Sequence, residues 1–182
     1  MTRVLLFGGS FDPPHNSHLQ LPREVMAHLK FDRVLYVPVF QSPLKEQPPT
    51  PWEHRLAMLE LALDDCPWAT ISTLEIDRGG TSYTIDTIES LQNEYEELRL
   101  LIGSDQWIHF KKWFRWQDIL RQANPVVIPR EGYEVEHERV LQIGMQLGAS
   151  SDIRALIRNG KSISELVPTK VETYITENGL YL

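Results

Sequence analysis

Apolar positions along this chain follow two alternating rhythms. Short, nearly unbroken apolar runs, "RVLLF" (3–7), "RVLYVPV" (33–39), "LRLLIG" (98–103) and "PVVIP" (125–129), have the length of buried strands. "ATISTLEI" (69–76) alternates in the manner of a strand with one solvated face. Between these runs apolar residues recur every three or four positions. "LQLPREVMAHLK" (19–30), "TPWEHRLAMLELAL" (50–63), "TIDTIESLQNEY" (84–95) and "WQDILRQA" (116–123) therefore read as helices. In the second of them Leu56, Leu59 and Leu63 mark the buried face, and Thr50 as N-cap, Pro51 at the first position and Glu53 form a capping box. "SSDIRALIRNG" predicts a helix capped by Ser150 or Ser151 and closed by Gly160. "VPTKVETYITENG" predicts another, with Pro168 early and Gly179 at its stop. Strands that alternate with helices through short links predict an α/β chain, a doubly wound parallel sheet in a single domain over 1–182. Ligands in such sheets bind beyond the carboxyl ends of the strands where strand order reverses, so the exits "GGSFDPPHNSH" and "GSDQW" are the first places to look for a site.

Composition narrows the partners. With 18 Lys and Arg against 25 Asp and Glu, the net charge of −7 excludes the continuous basic surface that a nucleic-acid polymer needs. It leaves room for a small phosphorylated ligand, which needs a few local donors. Cys66 is the sole cysteine, which excludes an intrachain disulfide and points to a reduced, cytoplasmic setting. The N-terminal apolar run is too short for a signal peptide, and no later run reaches membrane-spanning length, so no membrane partner is expected. A homo-oligomer stays open.

The first strand exit carries the chemistry. In "GGSFDPPHNSHL" (8–19), Gly8 and Gly9 are expected to allow close backbone approach and positive φ. Pro13 and Pro14 hold the segment extended, so that a helix begins near His15 to His18 with its amides aimed at the strand ends. Histidines at such a terminus can donate to phosphate oxygens. The run lacks the Gly-Lys-Ser/Thr ending of a P-loop and the spacing of the dinucleotide fingerprint. A metal site would need a third ligand, and no neighbouring cysteine or histidine offers one. On these residues alone a phosphate site, a metal site and a histidine pair without chemical role remain alternatives.

The same residues resemble G-(S/T)-F-D-P-x-H-x-G-H, a form of the (H/T)-x-G-H signature of the nucleotidyltransferase superfamily. "GASSDIR" (148–154) is similar to that superfamily's second hallmark, I-S-S-T-x-I-R. "RGGTSYTIDTIESL" (78–91), "LLIGSDQWIHFKKWFRWQDIL" (100–120) and "VVIPREGY" (126–133) resemble the bacterial nicotinate-nucleotide adenylyltransferases, and the likeness continues to "YITENGLY" near the end. Ser17 stands where the first signature has glycine, Gly148 and Ala149 replace Ile-Ser in the second, and Leu44 precedes Lys45 where related sequences often have histidine.

The resemblance implies a Rossmann-like nucleotidyltransferase fold. It implies transfer of AMP from ATP, with Mg²⁺, to nicotinate mononucleotide, giving nicotinic acid adenine dinucleotide and pyrophosphate on the route to NAD. His15, His18 and Arg154 would be the catalytic residues. Gly8, Gly9, Ser10, Phe11, Lys45, Gly103, Asp105, Ser150 and Ser151 would contact ATP, Asp105 through the ribose hydroxyls. Ser82, Tyr83, Thr84, Trp113, Phe114 and Arg130 would hold the mononucleotide, with Trp113 stacked on the nicotinate ring. No protein-held metal site is implied. Trp107 and Trp116 read as core, and His28, His54, His109 and His137 receive no role. Other acceptors, nicotinamide mononucleotide or pantetheine phosphate, and a nucleotide-sensing module without catalysis are the alternatives.

Overall fold

A computed structural model of the chain describes residues 2–44, 49–144 and 148–182. Its five strands, β1 (Arg3–Gly9), β2 (Arg33–Pro38), β3 (Ala69–Ile71), β4 (Glu97–Gly103) and β5 (Val126–Ile128), form one sheet in the order β3-β2-β1-β4-β5. Every pairing is parallel, from Leu6↔Leu35 and Leu6↔Leu100 at the centre to Ile102↔Val127 near one edge. The order reverses between β1 and β4, as the two expected exits require.

The near-continuous apolar strands are explained by burial on both faces. Val4 and Leu6 of β1 face α4 (Thr84–Leu91) and α6 (Trp116–Ala123), through Ile85, Ile88 and Ile119. Leu5 and Phe7 point the other way, toward α1 (Asn16–Leu29) and α2 (Trp52–Leu63), where Leu21, Val25 and Leu59 meet them. A third cluster packs α2 against α7 (Ser150–Arg158) and α8 (Thr169–Glu177), joining Met58 to Ile153, Val171 and Ile175. That cluster brings the last third of the chain beside the first strand exit. Among the described residues no helix is long and apolar enough to cross a membrane.

Several local expectations are corrected. The alternation of "ATISTLEI" ends after three residues of strand, and α3 (Leu74–Arg78) follows; the buried carboxylate of Glu75 is what that helix turns inward. Thr50 does not cap α2: Pro51 holds the N-cap position, while the Thr50 N–H donates to Asp12 Oδ2 at 3.1 Å. Neither Ser150 nor Ser151 caps α7, because Ala149 is the N-cap and both serines lie inside the helix. Helix α4 stops at Leu91, short of the expected Tyr95.

Gly8 and Gly9 take no positive φ either. Both end β1 and pair with Val37 and Pro38, and the left-handed backbone falls on Phe11, at φ 49°. Glycine is needed at position 9 for packing: a Cβ there would stand 3.1 Å from the Phe11 ring. That ring is buried among Phe7, His18 and Tyr36, so it would have to shift to admit a side chain. Gly148, in contrast, has φ +69°, so its replacement of a β-branched residue fits the backbone that leads into α7.

Candidate active site

A cavity of about 850 Å³ opens at the carboxyl ends of β1 and β4. Its walls include the first residues of α1, α4 and α7, three helices of eight residues or more, together with those of the short α5 (Ser104–Ile108). Helix N-termini present unpaired amides and a partial positive charge, so a chain with net charge −7 concentrates anion-favouring groups here.

His15 occupies the N-cap of α1 with extended backbone, the conformation usual for an N-cap residue. Its ring stacks on that of His18, with centroids 3.7 Å apart. The His15 N–H donates to His18 Nδ1 at 3.3 Å, so a neutral His18 carries its proton on Nε2. Phe7 and Phe11 pack against the same ring. His15 is 3% exposed, and burial, with a smaller contribution from Arg130, lowers its pKa to about 4. It therefore works as a neutral imidazole near pH 7.

That shift predicts a pH effect on stability. A histidine freed by unfolding titrates near 6.5, so between pH 6.5 and 4 the unfolded chain takes up a proton that the folded one refuses. The contribution of His15 is complete above pH 6.5 and falls by up to about 3 kcal/mol as pH drops through this window. Urea unfolding at pH 7 and pH 4.5 should show His15→Gln losing less stability than wild type on acidification. Parallel losses in the two proteins would contradict the neutral assignment.

Arg154 and Ser150 reach the same loop from the opposite end of the chain. Arg154 Nη1 donates to the Asp12 carbonyl at 2.7 Å, and Ser150 Oγ donates to the Pro13 carbonyl at 2.9 Å. Both side chains line the cavity with His15, His18 and Ser151. Ser17 is the second residue of α1, in helical backbone that needs no glycine.

Every other site residue expected from the sequence also lines this cavity, except Lys45, which lies outside the described residues. Gly8, Gly9, Ser10 and Phe11 form one wall and Gly103 with Asp105 another, while Ser82, Tyr83, Thr84, Trp113 and Phe114 make a third. Arg130, expected beside the acceptor, lines the cavity and forms an ion pair with Asp105, expected beside ATP. Its backbone N–H donates to the fully buried Ser104 Oγ at 2.9 Å, tying the exits of β4 and β5. Phe114 is exposed and rests on Tyr83, with ring centroids 5.0 Å apart. Trp113 packs partly on the core beside Phe110, and its Nε1 is buried without a partner among the described residues. Trp107 and Trp116 pack against the core, as expected.

The sequence reading missed several lining groups. Asp12, inside the first signature, accepts from Thr50 N–H and from the Tyr181 hydroxyl at 2.6 Å; burial and this carboxylate both push the Tyr181 pKa up. Glu75 and Thr87 lie at the floor, joined by a 2.6 Å hydrogen bond, and burial raises the Glu75 carboxyl. His109 and Lys112 line the mouth. Their position in "GSDQWIHFKKW", directly after the β4 exit, was the available signal.

Among the described residues no three His, Cys, Asp or Glu side chains gather to hold a metal ion. What the cavity offers is a set of donors for anions: imidazoles, guanidinium groups, hydroxyls and helix amides.

The sequence pattern of the cytidylyltransferase-like family matches residues 6–175. A protein of Herpetosiphon aurantiacus named "Probable nicotinate-nucleotide adenylyltransferase" is 32% identical over 197 aligned positions, covering 100% of both chains. Among solved structures, Plasmodium falciparum nicotinic acid mononucleotide adenylyltransferase complexed with NaAD has a TM-score of 0.84 at 16% identity, covering 100% of this chain and 98% of that one. The same enzyme complexed with APC has a TM-score of 0.81 at 18% identity and the same coverage. Both likenesses establish the nucleotidyltransferase Rossmann-like fold.

Proposed function

Because this chain belongs to the cytidylyltransferase-like family, and within it to the nicotinate-nucleotide adenylyltransferases, we propose how its cleft carries out that reaction. A phosphate oxygen of nicotinate mononucleotide attacks the α-phosphorus of ATP. The new P–O bond forms as the bond to the bridging oxygen breaks, and pyrophosphate leaves. The attacking phosphate is already anionic at neutral pH, so no strong base is required. Rate comes from aligning two anions and from neutralising charge that moves onto the leaving group.

One observation carries this reading: His15 and His18 from the first strand exit, and Arg154 and Ser150 from α7, line one cavity and are tied together through Asp12 and Pro13. His18 donates from Nε2 to the phosphate undergoing substitution, and neutral His15 supports it by stacking. Arg154, with Ser150 and Ser151, takes the β- and γ-phosphates, where a guanidinium fork suits phosphate geometry. Gly9, Ser10 and Phe11 shape the nucleotide side. Asp105 exchanges Arg130 for the ribose hydroxyls when ATP binds.

On the other wall the amides at the start of α4, with Ser82, Tyr83 and Thr84, receive the nicotinate carboxylate. Trp113 and Phe114 supply ring contacts, and an acceptor atom of the ligand would satisfy the buried Trp113 Nε1. Mg²⁺ typically keeps several waters and binds through substrate phosphates, which fits a cleft rich in anion donors and without a gathered carboxylate cage among the described residues. When bound it supplies charge neutralisation on the triphosphate. We read 1–182 as one nucleotidyltransferase domain working in the cytoplasm.

A pyrophosphate-release assay with ATP and Mg²⁺ tests the acceptor. Nicotinate mononucleotide should be used with a higher kcat/KM than nicotinamide mononucleotide, because the amide lacks the charge that the α4 terminus favours. A preference for the amide would contradict this reading, and release without any acceptor would contradict transfer.

A further inference from the structure

The walls that receive the two substrates come from separate stretches of chain, and beneath the floor they are joined through one buried cation. Arg55, in α2, is 1% exposed. Its Nη1 donates to the Ser10 carbonyl at 2.9 Å, its Nε to Thr50 at 2.8 Å and its Nη2 to Phe40 at 3.3 Å. Ser10 belongs to the loop that leads from β1 to His15. Phe40 follows β2, and its own N–H donates to Ser82 Oγ at 3.2 Å. Ser82 leads into α4, whose Thr87 donates to the buried Glu75 at 2.6 Å. Hydrogen bonds thus run without a break from the phosphate loop to the acceptor loop.

Desolvating a guanidinium is costly, and well-packed apolar residues of similar volume would often serve a core as well. Asp12, whose charge favours the cationic form of Arg55, offsets part of that cost. What an apolar residue cannot do is hold three carbonyls, one from the loop after β1 and two from the connection between β2 and α2, at fixed angles, which a planar guanidinium does. We infer that Arg55 is a positioning residue that sets the separation of the triphosphate loop from the acceptor loop, acting through the carbonyls of Ser10 and Phe40. The inference rests on the functional reading above. In-line attack depends on that separation, and a displacement of about 1 Å can cost about 10²-fold in rate.

The test compares the full-length wild type with Arg55→Lys, which keeps the charge and loses the fork, and Arg55→Gln, which keeps one donor group and loses the charge. Titration calorimetry gives the Kd and stoichiometry for ATP alone and for nicotinate mononucleotide alone, and pyrophosphate release gives kcat. Arg55→Lys should bind each substrate within about threefold of wild type at full stoichiometry while kcat falls about 10- to 100-fold. Arg55→Gln should show the same split. A kcat within twofold of wild type overturns the inference. So does a loss that matches a fall in stoichiometry or in melting temperature, since that is the signature of a merely structural residue. The wild-type arm separates the two failures: no pyrophosphate from wild type and nicotinate mononucleotide sinks the functional reading, whereas an active wild type with an equally active Arg55→Lys sinks the inference alone.

Discussion

Replacing His18 by alanine should lower turnover by ~10²–10³-fold, the scale for losing one preorganised donor to a transition state. The ring is fixed on three sides, by Phe7, Phe11 and His15, and the His15 amide occupies its Nδ1. The ring is therefore held in the cavity wall before ATP arrives, and little reorganisation is needed during the reaction. Alanine also removes the acceptor for that amide at the start of α1, which costs about 0.5–2 kcal/mol of stability. His18→Gln separates the two effects. Glutamine at the third helical position can reach back to the N-cap amide, so this variant should melt like wild type and still lose turnover. Near-normal turnover in either variant would remove His18 from the chemistry.

Trp113→Ala should raise the KM for nicotinate mononucleotide by roughly 5- to 150-fold, the equivalent of ~1–3 kcal/mol for one aromatic stack. The KM for ATP should stay within about twofold, because Trp113 stands on the wall with Tyr83 and Phe114 rather than beside the phosphate loop. Trp113 also packs against Phe110 and the core, so the alanine variant is expected to be less stable. Trp113→Phe keeps a ring and most of that packing, and its KM should fall between the two. Equal rises in both KM values would count against a stacking role.

How much of this was legible in the sequence depended on the range of the interaction. The strands declared themselves because burial on both faces demands continuous apolar runs. The β1 and β4 exits stood out because parallel sheets put ligands where strand order reverses, and a cavity lies there. His15, His18 and Arg154 were singled out by two signatures near opposite ends of the chain, and the fold brings all three to one cavity.

Contacts specific to this chain's packing were not legible. Nothing beside Arg55 in the sequence marks it out, yet it is buried, with its guanidinium on carbonyls of the β1–α1 loop and of the connection between β2 and α2. The bond between Asp12 and Tyr181 spans almost the whole chain, and neither residue's neighbours hint at it. The reason for Gly9 was misread as backbone freedom, because an aromatic ring folding back over a strand end leaves no local pattern. Arg130 and Asp105 were each assigned to a ligand, and their mutual pairing needs the fold to be seen.

The most direct measurement is a crystal structure of the protein with Mg²⁺ and a non-hydrolysable ATP analogue. Convergence of the chain's two ends on one triphosphate predicts phosphate oxygens about 2.7–3.2 Å from both the His18 ring nitrogen and the Arg154 guanidinium. A triphosphate that touches one of these side chains and leaves the other in solvent, or that binds outside the β1–β4 cleft, would contradict it.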